Sequence, residues 1–432
     1  MSTILDLLEW TKKNPANREA RDRRFSLLLD AHQRYLNGLT IIKITGTNGK
    51  GSVCAMLEAS LQRAGKRTGM FTSPFLTRIN ERFRVAGEDI SDDDLETHAR
   101  AVQQFLTKHV AQHGQNSKPS FFEILILIAL RYFHAENVEY AIVEAGIGGR
   151  YDATSLIPSQ FAAITSVGLD HTEQLGPTLH DIATDKAGIA ASGTHLVLGP
   201  NLPVEARSAI LADIVQRQIN LHFARGKNMK AHTLGLQGMD IEWEIGGETL
   251  RFSLPLPGAF QLSNLVTVYA ILNVMTLHGK LDGTACLQGV TDTRWPGRLE
   301  YFPGDPAWLV DVAHNEDALV ALKATLDEIL PPDSRVLLYG AAADKAYRAV
   351  IPHVRTLADE IWLTGGFYRA ENAHILAERF PDHPNLNSRE NWRDAMHHMR
   401  EKFSGSGKII LVLGSVYLAG VVRGELETWL TQ

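Results

Sequence analysis

Residues 45–52 read Thr-Gly-Thr-Asn-Gly-Lys-Gly-Ser, between an apolar run (Ile41, Ile42, Ile44) and a helical pattern. Glycines in such a loop let successive backbone N–H groups turn toward one anion. Lys50 adds a mobile positive charge, and Ser52 lies where its hydroxyl can hold Mg²⁺. Thr47, Asn48, Gly49, Lys50, Gly51 and Ser52 are therefore candidate phosphate and metal contacts, and the chemistry implied is that of a nucleoside triphosphate. The spacing departs from the usual phosphate loop: only Thr47 and Asn48 separate Gly46 from Gly49, and Gly51 intervenes between Lys50 and Ser52.

Further candidates follow other strand-like runs, because ligands of open α/β sheets sit outside the carboxyl ends of strands. Tyr140–Val143 ends in Glu144, a carboxylate that can reach Mg²⁺ directly or through water, or simply be a solvated strand-end acid. Thr72 runs into Ser73-Pro74, which is either an oxygen ligand or an ordinary turn. His171, after Gly168-Leu169-Asp170, suits a second metal, a phosphate or a structural role. Lys186 reads either as a solvated helix lysine or as an amine whose pKa burial depresses until it can become a carbamate, an anionic oxygen ligand.

These side chains need elements to hold them. Val53, Met56, Leu57, Leu61 and Ala64 recur at helical spacing up to Gly65, so the loop joins a strand to an amphipathic helix. Strand-like runs at Ile41–Thr45, Thr68–Thr72, Tyr140–Glu144, Ala162–Val167 and Leu196–Leu198 alternate with helical patterns at Lys50–Ala64, Asp92–Lys108 and Phe121–Ala135. That alternation predicts an α/β domain with a mostly parallel sheet covered on both faces. In 220–257 the period changes, and Ile241, Trp243, Ile245, then Leu250, Phe252, Leu254 predict a hairpin in a small antiparallel sheet, followed by a helix over about 259–278. A second, Rossmann-like α/β series follows Trp295-Pro296-Gly297-Arg298. Its strands are expected at Trp308–Val312, Val336–Tyr339, Ile361–Leu363 and Ile409–Leu413, with helices near 316–330, 345–357, 371–380 and 391–403. The expected domains are 1–293 and 294–432.

Composition excludes several classes. The chain has 432 residues, 44% hydrophobic content and a net charge of −6, enough for large cores and without the basic excess of a nucleic-acid binder. Cys54 and Cys286 are too few for a disulfide framework and form no zinc spacing, which fits a reducing cytoplasm. The N-terminus lacks a basic start with a cleavage site, and the tracts Ile124–Leu130 and Ile409–Val422 are too short or too broken to span a bilayer. A cytoplasmic monomer acting on small molecules, with no nucleic acid or membrane as partner, is expected.

Taken in order, Gly46-Thr-Asn-Gly-Lys-Gly-Ser52, Thr72-Ser-Pro-x-Leu76 with Glu81-Arg82, Ser120-Phe-Phe-Glu123, Glu144-Ala-Gly-Ile-Gly-Gly-Arg150-Tyr-Asp152-Ala-Thr154, Asp170-His171 and Leu175-Gly176 resemble the dihydrofolate synthase/folylpolyglutamate synthase family of Mur-type ligases. The resemblance continues through Gln261-x-x-Asn264, Trp295-Pro-Gly-Arg298, Asp311-x-Ala-His314-Asn315, Asp344-Lys345 and Gly414-Ser415-x-Tyr417-Leu418, and covers about residues 40–423. It implies an enzyme that phosphorylates a folate or pteroate carboxylate with ATP and joins L-glutamate to it. On matching positions Gly49, Lys50 and Gly51 would cradle phosphate, and Lys50, Glu144, His171 and Lys186 would be the catalytic set. Ser52, Ser73 and Glu144 would hold one Mg²⁺, and Glu144, His171 and carbamylated Lys186 a second. Asn264, Arg298 and Asp311 would contact ATP, and His314, Ser415 and Tyr417 would face glutamate.

The family usually has His at Phe75 and Phe260, Gly at Val312, Pro at Glu316 and Asp at Ala346. These departures leave the proposed metal and phosphate ligands intact and bear on the acceptor and the fit of nucleotide. Two other readings stand beside this one: a ligase of the same mechanism for a non-folate carboxylate or another amino acid, and a nucleotide-binding module without catalysis.

Overall fold

The computed structural model describes residues 2–11, 18–215, 217–279, 281–343, 347–381 and 383–431. Asp344, Lys345 and Ala346, part of the family pattern above, lie outside the described residues.

The first series forms an eight-stranded sheet from β1 (Thr40–Thr45), β2 (Thr68–Phe71), β3 (Phe83–Val85), β4 (Glu88–Asp89), β5 (Tyr140–Glu144), β6 (Phe161–Ile164), β7 (His195–Leu198) and β8 (Asn220–Phe223). Their order is β4-β3-β2-β5-β1-β6-β7-β8, parallel from β2 to β8 with an antiparallel edge at β3 and β4. A parallel strand covered on both faces needs apolar side chains in both directions, and Ile41, Ile42 and Ile44 supply them. From β1 the chain crosses to β2 on one side while β6 lies on the other, so a crevice opens at the carboxyl end of β1.

Lys43 interrupts that apolar strand. It is fully buried, and its Nζ donates to the carbonyl oxygens of Ser155 at 3.1 Å and Ile157 at 2.9 Å. Burial pushes its pKa down to about 7, with the Asp152 carboxylate opposing. The strand beneath the phosphate loop thus also anchors the segment that follows Glu144.

On one sheet face the helices Lys50–Arg63 and Phe260–Leu277 pack with β9 (Met229–Thr233), β10 (Met239–Ile245) and β11 (Glu248–Leu254), a three-stranded antiparallel sheet. The expected hairpin is β10–β11, with Ile241 opposite Phe252. Helices Asp92–His113 and Phe121–Ala135 cover the other face together with Phe25, Leu28 and Leu29. A further apolar tract lies in this layer. Phe260–Leu277 is 18 residues long with mean hydropathy 1.4, enough to cross a bilayer by length and composition. Here Leu265, Val268, Ile271, Leu272 and Met275 are buried in the core, which accounts for that composition.

The second series gives β12 (Glu300–Phe302), β13 (Ala307–Val310), β14 (Arg335–Tyr339), β15 (Glu360–Gly365), β16 (Leu386–Asn391) and β17 (Ile409–Leu413), in the order β12-β13-β17-β14-β15-β16. Only the β12–β13 pair is antiparallel. Two expected helices are shorter than their patterns. The one near 371–380 is Ala373–Ala377, ahead of Pro381 and Pro384, and the one near 345–357 contains Ile351–Val354, which Pro352 starts afresh. Strand β16 had no apolar alternation to announce it, because it is a polar, largely exposed edge.

Candidate active site

The phosphate loop turns from β1 into the helix Lys50–Arg63. Gly49 takes φ +84°, and a Cβ there would stand 2.2 Å from Asn264 Oδ1; at Gly51 a Cβ would stand 2.5 Å from the Trp295 indole. The glycine between Lys50 and Ser52 therefore admits the aromatic ring of the interdomain linker. Thr47 N and Asn48 N already donate to Ser166 O and Oγ. The first intrahelical bond is Val53 N to Gly49 O, so the N–H groups of Lys50, Gly51 and Ser52 have no helical acceptor and, with that of Gly49, are open to an anion. Lys50 Nζ donates to the carbonyls of Gly46 and Thr47, at 3.0 and 3.2 Å.

Two cavities flank this loop and share Asn48, Gly49 and Arg298. The larger, of about 610 Å³, is lined by Thr47, Lys50, Gly51, Ser73, Arg82, Glu144 and His171, and on its far wall by His314, Ser415 and Tyr417. The smaller, of about 330 Å³, is lined by Ser52, Asn264, Asp311 and Phe260. Of the proposed catalytic, nucleotide, metal and glutamate contacts, only Lys186 lines neither; it is buried beside Asp185, which does line the larger cavity.

Glu144 is buried at the end of β5, and its Oε2 accepts a hydrogen bond from Ser73 N at 3.0 Å. Burial raises its pKa, against the pull of Lys50, the Ser73 N–H, Arg298 and Arg82. Burial likewise pushes Lys186 down to about 7, helped by Lys50 and opposed by Asp185, Asp170 and Asp152. The solvated-helix reading of Lys186 is thereby excluded. Among the described residues no three His, Cys, Asp or Glu side chains converge as a metal site. Mg²⁺ keeps waters and binds through one or two protein groups plus nucleotide phosphates; Ser73 and Glu144, joined by a hydrogen bond in the larger cavity, suit it on those terms, whereas Ser52 lines the smaller cavity.

The segment after Glu144 wraps around a buried carboxylate. Asp152 Oδ2 accepts from Gly146 N and Ile147 N at 3.0 and 3.1 Å, and Oδ1 from Thr154 N at 2.9 Å. Nearby, Arg24 forms a buried ion pair with Glu123 at 2.8 Å, and the same carboxylate accepts from Ser120 N. Ser120 and Glu123 line the larger cavity, so the arginine-rich N-terminal helix Arg18–Ala31 is tied to the site by a pair that sequence spacing does not reveal.

Both domains meet at Asn48. Its Nδ2 donates to Asn315 Oδ1 at 3.1 Å, and Asn315 Nδ2 donates back at 3.0 Å and also to Asp170 Oδ2 at 3.0 Å. His314 Nε2 lies 3.7 Å from the same Asp170 oxygen. Asn48 is thus a brace between the phosphate loop and the C-terminal sheet. Asp311, at the end of β13, accepts from Leu299 N and Ala313 N at 2.9 and 2.8 Å; burial raises its pKa, opposed first by Arg298. Ser415 precedes the helix Val416–Thr431, whose N-terminal end faces the larger cavity and favours an anion there. Of the departures, Phe75 packs against Arg82, Phe260 lines the smaller cavity, Val312 lines the larger one, and Glu316 Oε1 lies 3.2 Å from His353 Nε2.

Comparison with known proteins agrees with this layout. The model of the Mur ligase middle domain matches residues 44–272, and that of the Mur ligase glutamate ligase domain matches 297–416. A dihydrofolate synthase/folylpolyglutamate synthase of Bacillus subtilis is 32% identical, over 89% of this chain and 90% of its own. A probable bifunctional folylpolyglutamate synthase/dihydropteroate synthase of Haloferax volcanii is 30% identical over 95% of this chain, which spans 48% of that longer relative. The structure of Mycobacterium tuberculosis folylpolyglutamate synthase complexed with ADP has a TM-score of 0.87 at 27% identity, with 98% of each chain covered.

Proposed function

The chain belongs to the dihydrofolate synthase/folylpolyglutamate synthase family of Mur-type ligases, and from that premise we propose that it is an ATP-dependent amide ligase joining L-glutamate to dihydropteroate, to a reduced folate, or to both. The observation that carries the reading is the single cavity in which a phosphate loop and Glu144 face His314, Ser415 and Tyr417 of the other domain. Its contents must include a phosphoryl donor, a carboxylate and an amine.

A carboxylate is a poor electrophile toward an amine. Its oxygen attacks the γ-phosphorus, the bond to the β,γ-bridging oxygen breaks with its electron pair leaving on ADP, and an acyl phosphate results. The neutral amine then attacks the carbonyl carbon, the C–O bond breaks, and phosphate departs carrying the amine proton. Lys50 and the N–H groups of Gly49, Lys50 and Gly51 would hold the phosphates, with Asn264, Arg298 and Asp311 around the nucleoside. Ser52, Ser73 and Glu144 would hold a Mg²⁺ ion, and Glu144, His171 and carbamylated Lys186 a second. Bound there, Mg²⁺ offsets the repulsion between the carboxylate and the γ-phosphate. His314, Ser415 and Tyr417 would receive glutamate. Contact across Asn48 and Asn315 supports closure of a unit at 294–432 over one at 1–293, which keeps water from the acyl phosphate. A cytoplasmic monomer suits these small-molecule substrates.

Purified protein is to be incubated with ATP, Mg²⁺ and glutamate, with the acceptor varied among dihydropteroate, tetrahydrofolate and unrelated carboxylates, and products weighed by mass spectrometry. A glutamate adduct of a pteroate or folate is expected. Product with unrelated acceptors alone would leave the ligase and remove the folate.

Carbamylation of Lys186 has a pH signature. An amine with pKa near 7 instead of 10.5 is largely neutral above pH 7, and only the neutral amine adds to CO₂, releasing one proton as the carbamate forms. Activity should therefore rise through pH 7 and, at pH 8, fall in CO₂-depleted buffer and recover with bicarbonate. Lys186→Gln should show no bicarbonate response. A wild-type rate indifferent to bicarbonate removes the carbamate.

A further inference from the structure

Arg82 closes the short turn Ile79–Arg82 and lines the larger cavity. Of the arginines nearby, Arg24 pairs with Glu123 and Arg84 with Glu58, whereas Arg298, on the same cavity, makes no ion pair among the described residues. Glu81, its sequence neighbour, is already engaged, accepting from the backbone N–H groups of Leu76, Thr77 and Arg78. Arg82 has no ion pair or side-chain hydrogen bond among the described residues, and its Nε is buried without an acceptor. The guanidinium is held instead over the Phe75 ring, with Cζ 5.4 Å from the centroid. Burial depresses its pKa to about 10, and the charges acting on it come from Glu144, Tyr417 and Glu81.

A desolvated cation without a partner is costly, and in a cleft it marks a place prepared for an anion. Position says which anion. Glu144 stands on the phosphate-loop side and Tyr417 on the wall of the C-terminal domain, so Arg82 lies where the activated carboxyl group must pass from one to the other. We propose that Arg82 is a catalytic residue that donates hydrogen bonds to the transferring phosphoryl group and then to the phosphate leaving the acyl carbon. This rests on the ligase reading above. In the first step a P–O bond to the carboxylate forms as the bond to ADP breaks, with no proton moved; in the second a C–N bond forms as the C–O bond breaks, and the phosphate takes the amine proton. Negative charge gathers on the same phosphoryl oxygens in both, and a planar fork of donors suits them. The Phe75 ring backs that fork.

The test compares wild type with Arg82→Met, Arg82→Lys and Arg82→Ala. Arg82→Met should lose roughly 10²–10³-fold in kcat, the cost of one transition-state donor, with KM for ATP and glutamate within about threefold. Acyl phosphate trapped by hydroxylamine without glutamate should fall in parallel, while ADP affinity stays unchanged. Guanidinium ion should restore part of the rate to Arg82→Ala and none to Arg82→Met, whose side chain fills the space. Wild-type kcat in Arg82→Met, or a raised acceptor KM with kcat intact, overturns the proposal and leaves the ligase reading standing. Should Arg82→Met fail to fold, Arg82→Lys decides: a kcat loss of about tenfold or more at unchanged ADP affinity supports the role, and an unchanged kcat overturns it. No product from wild type overturns both.

Discussion

Replacing Lys50 with alanine should lower kcat by roughly 10³–10⁵, the range for removing a cation that neutralises phosphoryl-transfer charge, or about 4–7 kcal/mol of barrier. The side chain stands at the N-terminal end of the helix Lys50–Arg63 with its ammonium against the carbonyls of Gly46 and Thr47, so its charge is held at the loop, within the field of Glu144 but in no ion pair among the described residues. Ground-state binding should suffer less, because backbone N–H groups and the smaller cavity remain, and ADP should bind within about tenfold of wild type. Lys50→Arg should not restore the rate, since a planar fork cannot occupy the place of a compact ammonium between those carbonyls. Single-turnover ADP formation and calorimetric ADP titration separate the two effects. Product formation at the full rate in Lys50→Ala would remove phosphoryl transfer at this loop.

Glu144→Gln should lower kcat by roughly 10²–10⁴, with partial recovery at high Mg²⁺, because it exchanges a metal-binding carboxylate for a neutral amide of the same shape. The amide oxygen can still accept from Ser73 N, so local geometry is kept. Stability should move the opposite way. Burial raises the Glu144 pKa above 4.5, so the folded state binds its proton more tightly than the unfolded one. Its contribution to stability is then full below pH 4.5 and is lost as pH rises through the folded value. At neutral pH the buried charge works against folding, and Glu144→Gln should melt no lower than wild type while being nearly inactive. A lower melting temperature together with retained activity would assign Glu144 to the scaffold.

Lys186 and Lys43 separate two kinds of buried lysine. Both have pKa values pushed to about 7 by burial, but Lys43 Nζ is held by two carbonyls inside the sheet, whereas Lys186 is among the charges acting around Lys50 and Asp170. Depressed pKa alone does not distinguish a brace from a reactive amine. The acceptors around it do.

Much of the scaffold could be read before any coordinates. Short apolar runs and periods of two or 3.6 residues are local properties, so the strand Tyr140–Glu144, the helix Phe121–Ala135 and the β10–β11 hairpin emerge from the local sequence alone. The loop from Thr45 to Ser52 also declared itself, because an anion cradle needs glycines and a lysine next to one another in the chain. The polar edge strand β16 carried no such local mark.

Amino-acid order alone determined the alternating α/β architecture, the phosphate loop and the family. Tertiary structure alone decided why Gly51 must be glycine, that Arg24 serves the site through Glu123, that Asn48 and Asn315 clasp each other from different domains, and that Arg82 makes no ion pair among the described residues and leaves its Nε buried without an acceptor. The reason is range: backbone preference and amphipathic period act over a few residues, whereas burial, charge pairing and steric exclusion depend on which distant segments the fold brings within a few ångströms.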